Sequence, residues 1–190
     1  MVSLAAILVG VTSLAVCGYF FKTVHNRIVH FHGKLPSWKY FSYYIYIGLK
    51  AYIGAFVLAI PFFLVSGLLL LFAPFSLSIE SIPFILTGCI LHIIYAVFYI
   101  MLALNFAMDF RLKSFFDFKK AYELIKHNLN GYVLLVFDCL LVAVCNFILS
   151  LILINGQIFA LLLPFVTFYI YIVYSDLFAQ FALSVGEDKF

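Results

Sequence analysis

Asp138, His92 and Asn146 are the residues whose chemistry stands out, because each interrupts a long apolar run. A carboxylate within a membrane costs about 2.5–3.5 kcal/mol at a span centre, so such a group faces neighbouring helices or a wet cavity. Asp138 lies about 10 Å past Gly131 at 1.5 Å per residue, and His92 and Asn146 both fall about 8 to 12 Å from the opposite face. These three form a candidate intramembrane polar set with two readings. They tie helices together through hydrogen bonds, or they line a path for a proton or cation.

Other constellations carry less. Asp176 falls about 28 Å past Gln157, at the inner interface rather than at the depth of Asp138. Neither aspartate sits in the Gly-x-Gly-Asp setting of an intramembrane aspartyl protease. His25, His30 and His32 raise the question of zinc. Residues two apart point to different helix faces, and no carboxylate or cysteine stands beside them to complete a ligand set. Cys17, Cys89, Cys139 and Cys145 lie in apolar runs without C-x-x-C spacing and read as small buried thiols. The chain has no phosphate-cradling glycine loop, nucleophile elbow or H-E-x-x-H. The sequence therefore predicts no catalytic residue, no metal and no cofactor.

The elements that must position these residues follow from composition. The 190 residues are 67% hydrophobic and 10% charged, with mean hydropathy +1.19. Ordinary soluble domains are about 45–50% apolar and about 25% charged. Five apolar segments, 1–21, 51–75, 84–108, 131–154 and 157–177, each approach or exceed the roughly 20 residues needed to cross a bilayer as helix. No Lys or Arg precedes the first, so it reads as a span rather than a secretory signal. The expectation is an all-α polytopic transmembrane helical bundle, one integral membrane domain over residues 1–190 with five spans. Pro61 and Pro164 fall inside spans two and five, where each removes one backbone hydrogen bond.

The charges set an orientation. Lys22, Arg27, Lys34, Lys39 and Lys50 lie in the first connection, and Arg111, Lys113, Lys119, Lys120 and Lys126 in the third; the second and fourth carry none. Lys189 follows the last span, so all 11 basic residues fall on one side, which the positive-inside rule places in the cytoplasm. The N-terminus is then outside and the C-terminus inside a cell membrane. Two cytoplasmic-side amphipathic surface helices are expected. In the first, Trp38, Phe41, Ile45 and Leu49 recur at helical spacing after Pro36, and Trp38, Tyr40, Tyr43, Tyr44 and Tyr46 form an interfacial aromatic belt. In the second, Ser114 with Asp117 fits a capping pair, and Phe115, Phe118, Tyr122, Ile125 and Leu129 make an apolar stripe opposite Lys119, Lys120, Glu123 and Lys126. Anionic lipid head groups account for Lys22, Arg27, Lys34, Lys39, Lys119, Lys120 and Lys126, and nucleic acid is not expected.

Gly18-Tyr19-Phe20-Phe21-Lys22, Gly33-Lys34-Leu35-Pro36-Ser37-Trp38, Ile47-Gly48-Leu49-Lys50 and Pro61 together resemble a prokaryotic membrane family, domain of unknown function 4013. Leu163-Pro164-Phe165 before a tyrosine-rich run is similar to its last helix. The resemblance implies a multi-pass membrane fold and assigns no activity or site residues. The expected function is a non-catalytic accessory, immunity-like or partner-binding membrane component, with a membrane protein or a second copy as partner. The alternative is a small permease or transporter subunit using Asp138, His92 and Asn146.

Overall fold

The computed structural model describes residues 4–29, 35–72, 82–155 and 163–186. They form six α-helices: α1 Leu4–Val29, α2 Phe41–Phe72, α3 Ile82–Asp109, α4 Phe118–His127, α5 Leu129–Asn155 and α6 Leu163–Val185. A 3-10 turn, Trp38–Tyr40, leads into α2, and a 3-10 helix, Leu112–Phe116, joins α3 to α4. No strand occurs among the described residues. Segments within α2, α3, α5 and α6 are long and apolar enough to cross a membrane. These helices expose large apolar side chains, Phe56, Phe63, Leu71, Ile93, Phe147 and Phe165 among them. Exposed apolar surface on this scale needs hydrocarbon around it. This is a membrane protein.

The backbone contact that organises the bundle lies between α1 and α2. A Cβ on Gly18 would overlap the Tyr44 carbonyl, and one on Gly48 would overlap the Leu14 carbonyl. Two glycines facing each other thus let the antiparallel backbones touch, the small-residue device by which helices associate where water supplies no drive. Tyr44, Ile47 and Ala51 are buried along the same face of α2. On the other side of α1, Phe20 packs against Tyr171 and Phe178 of α6. Phe21 meets Phe106 of α3 edge to face, with ring centroids 5.0 Å apart.

Several expected boundaries move. Helix α1 continues past residue 21 because nothing breaks it before Gly33, and Val24 and Ile28, one turn apart, are fully buried. Helix α6 likewise continues past 177, burying Phe178, Ala179, Phe181, Ala182 and Val185. The separate surface helix expected over 37–49 is instead the start of α2, which runs unbroken from Phe41 through Pro61 to Phe72. Burial of Tyr44 and Ile47 against α1 holds that start in line with the rest. Ser114 is not a helix cap: Asp117 caps α4, its carboxylate accepting from the Lys120 amide at 3.1 Å. The links at 73–81 and 156–162, with His30, His32, Lys34 and Lys189, lie outside the described residues.

The aromatic belt divides. Trp38, Tyr40, Tyr43 and Tyr46 are exposed as expected, but Tyr44 is buried and its hydroxyl donates to the Ser37 carbonyl at 2.6 Å. Trp38 lies flat on Tyr19, with centroids 4.4 Å apart and planes 6° from parallel. The stack pins the turn that precedes α2 against α1. Replacing Gly48 by Ala is expected to cost about 1–3 kcal/mol through overpacking. Thermal unfolding in detergent should show the loss, while Gly88→Ala, where an added Cβ meets nothing within 4 Å, should show none.

Candidate functional site

The polar chemistry gathers at one end of the bundle, where α1, α3 and α6 finish and α2, α4 and α5 begin. The end of α3 is the centre of it. The Phe110 amide bonds the Phe106 carbonyl at 2.8 Å and Phe110 itself takes φ 53°, turning the chain out of the helix. Carbonyls at a helix C-terminus carry partial negative charge and need donors. Here neighbouring helices supply them. Lys50 of α2 donates Nζ to the Phe110 carbonyl at 3.3 Å, and His25 of α1 places Nδ1 3.1 Å from the Ala107 carbonyl. A carbonyl oxygen only accepts, so Nδ1 carries the proton. Lys22 of α1 lies 5.5 Å from the Phe110 ring centroid.

Beyond Phe110 the chain folds back on itself. Asp109 accepts the Arg111 amide at 2.9 Å and the Ser114 hydroxyl at 2.8 and 2.9 Å. That clasp closes the 3-10 helix and drives Phe115 into the core, where it is fully buried. Its ring lies 4.7 Å from Phe106 and 6.3 Å from Tyr99 between centroids, and it presses on Gly54 of α2, where a side chain would collide with it. Phe115 therefore anchors the loop instead of joining a surface stripe. The buried face of α4 is Ala121 and Leu124, while Phe118, Tyr122 and Leu129 face outward. Asn128 then ties the next two helices: its Oδ1 accepts the Gly131 amide at 3.0 Å and its Nδ2 donates to Ser184 of α6 at 2.9 Å.

Between the end of α3 and the start of α4 lies a cleft of ≈ 430 Å³, lined by Asn105, Asp109, Arg111, Lys113, Ser114, Phe116, Asp117 and Lys120. Asn105 is only 2% exposed, and neither polar atom of its side-chain amide has a hydrogen-bond partner among the described residues. A buried polar group left so costs about 1–3 kcal/mol, so an Asn kept there needs another reason. Its spacing from Asp109, four residues on the same helix, was readable in the sequence and puts both on one face. Arg27 forms an ion pair with Asp176, joining α1 to α6 at this end of the bundle. The interfacial depth of Asp176 was the available signal for that pair.

The sequence-nominated polar set is not assembled by hydrogen bonds. His92 is exposed and bonds the Gly88 carbonyl of its own helix at 2.7 Å. Asp138 is half-buried in α5. Asn146 keeps a buried Oδ1 without a partner among the described residues. Of the basic candidates, Lys22 and Arg27 lie on α1 within the packed end, Lys39 in the turn before α2, and Lys119, Lys120 and Lys126 on α4. Cys139 is buried as read, whereas Cys89 and Cys145 are exposed on the apolar flank. Among the described residues no three His, Cys, Asp or Glu side chains gather as metal ligands.

Comparison with known proteins bears on what this end does. The family described as protein of unknown function (DUF4013) matches residues 1–155. The chain belongs to that family. The match takes in both glycines of the α1–α2 contact, the Phe115 anchor and the whole cleft. Uncharacterized protein MJ1189 of Methanocaldococcus jannaschii is similar, 28% identical over 149 residues, covering 76% of this chain and 52% of that protein. The chain therefore spans about half the length of this relative. No solved structure matches.

Because Phe115 is the fully buried anchor of the loop that forms the cleft wall, Phe115→Ala is expected to lower stability by about 3–5 kcal/mol. The measurement is limited trypsinolysis in detergent, with cleavage at Arg111 and Lys113 appearing earlier than in the wild type.

Proposed function

We propose that the protein is a five-span component of the cell membrane that binds and does not catalyse: an accessory, immunity-like or partner-binding membrane protein. The observation that carries this reading is the asymmetry of the bundle. The described lysines and arginines, the tightly packed core and the cleft share one end, and the opposite half exposes apolar side chains. The positive-inside rule puts the basic end in the cytoplasm, with the N-terminus outside and the C-terminus inside. Helix α1 supplies the fifth span, its 26 residues rising about 39 Å against a hydrocarbon core of about 30 Å.

Helix α4 fits lipid contact at that face. Phe118 and Tyr122 are exposed beside Lys119 and Lys126, so apolar side chains can enter the interface while the amines meet anionic head groups at about 1 kcal/mol each. The outward apolar flank of α2, α3 and α5 also offers room for a membrane-protein partner or a second copy.

Cysteine labelling tests the orientation in a version without the four native cysteines. Cysteines at Ser78 or Asn155 should react with an impermeant thiol reagent on intact cells, and one at Ser37 should not. Labelling of Ser37 from outside would reverse the assignment.

A small permease or transporter subunit is the second reading, favoured by the unpartnered Asn146 oxygen in the apolar half. Asp138 separates the two. Its replacement by Asn keeps size and hydrogen bonding without the charge, so under the binding reading Asp138→Asn restores a deletion phenotype and Asp138→Leu weakens helix packing. Normal membrane abundance of Asp138→Asn without rescue would mean that the charge itself is used.

A further inference from the structure

We propose that the cleft between α3 and α4 is a binding site for a phosphate ester that carries a free hydroxyl, the chemistry shared by a glycerophospholipid head group and a soluble phosphorylated polyol. The inference deepens the binding reading above and rests on it only for the side of the membrane. Three features support it. First, the carboxylates of the cleft are already engaged: Asp109 accepts from Ser114 and the Arg111 amide, and Asp117 caps α4. The cleft lining carries Arg111, Lys113 and Lys120 against Asp109 and Asp117, an excess of one positive charge, and exposed Arg111 and Lys113 can turn inward. A guanidinium and an ammonium side by side suit a phosphate, which accepts strong charge-assisted bonds from both.

Second, Asn105 lines the cleft with a buried amide that is both donor and acceptor and has partners for neither role among the described residues. A hydroxyl on the ligand complements both at once. The α3 segment around it is otherwise apolar and fully buried, with Met101, Leu102, Leu104, Phe106 and Ala107 closed off. An apolar residue of equal size at 105 would fit that surrounding better. The amide is thus placed for something outside the chain. Third, ≈ 430 Å³ is ample room for a glycerophosphate-sized group.

The test uses the full-length protein in phosphatidylcholine nanodiscs. In one arm soluble glycerol 3-phosphate is titrated; in the other, phosphatidylglycerol is introduced into the bilayer. Native mass spectrometry counts what is retained per chain, and thermal unfolding reports the shift on binding. Saturable retention of one molecule per chain is expected in one arm, and the arm in which it occurs identifies the source. Lys113→Gln, an exposed position that leaves the core intact, should weaken binding about tenfold, the worth of one charge-assisted bond. Asn105→Leu should weaken it similarly while unfolding at the same or higher temperature, an outcome a purely structural Asn would not give. Glu123→Gln, an exposed charge on α4 outside the cleft lining, should leave it unchanged. The proposal is overturned by no saturable binding in either arm, by wild-type affinity in Asn105→Leu and Lys113→Gln, or by tighter binding in Glu123→Gln, which would mark diffuse surface charge. None of these outcomes touches the labelling experiment, so failure of the cleft leaves the membrane orientation standing.

Discussion

The rest of the structure depends on two helices meeting without side chains between them. In a bilayer, apolar side chains gain nothing by leaving lipid for one another, so association relies on close van der Waals contact. Gly18 and Gly48 provide it by letting the α1 and α2 backbones touch. The residues beside them in sequence then land where they act. Tyr19 is set under Trp38, and Lys50 reaches the Phe110 carbonyl at the end of α3. The Gly-Tyr and Gly-Leu-Lys stretches are in this light geometric: the glycine makes the contact and the residues beside it use it.

Built outward from that contact, the bundle is packed at one end and loose at the other. Phe20, Phe21, Phe106, Phe115 and Phe178 fill the space between α1, α3 and α6 with edge-to-face and tilted ring contacts. Ionisable groups are used there to finish helices, Lys50 and His25 on the carbonyls of α3 and Asp117 on the amides of α4. Such capping explains why so many ionisable side chains can stand beside a core of phenylalanine. Among these groups the Asn105 amide is the conspicuous exception, since nothing among the described residues satisfies it.

The membrane class, the helical segments and the clustering of basic residues were legible because each is a local property. Run length decides whether a segment can span, and charge between runs needs no knowledge of contacts. The candidate site was less legible. Asp138, His92 and Asn146 attract notice as polar interruptions, yet their helices are apolar on every face, so no periodicity says which side turns inward. The chemistry that did come together used residues near span ends, Asn105, Asp109 and Asp176, where a polar side chain looks unremarkable.

What the sequence by itself determined is that these residues form long apolar helices, that the basic connections share a side, and that the chain is a member of an identifiable family. What only the tertiary structure decided is the partnership between elements. Arg27 finds Asp176, Phe115 finds Gly54, and the expected surface helix before Gly48 is absorbed into α2. The physical reason is that propensity and hydropathy act within a segment, whereas partnership depends on the rotation and register of one helix against the next. In this chain that register is set by two glycines whose importance appears only once their backbones are seen in contact.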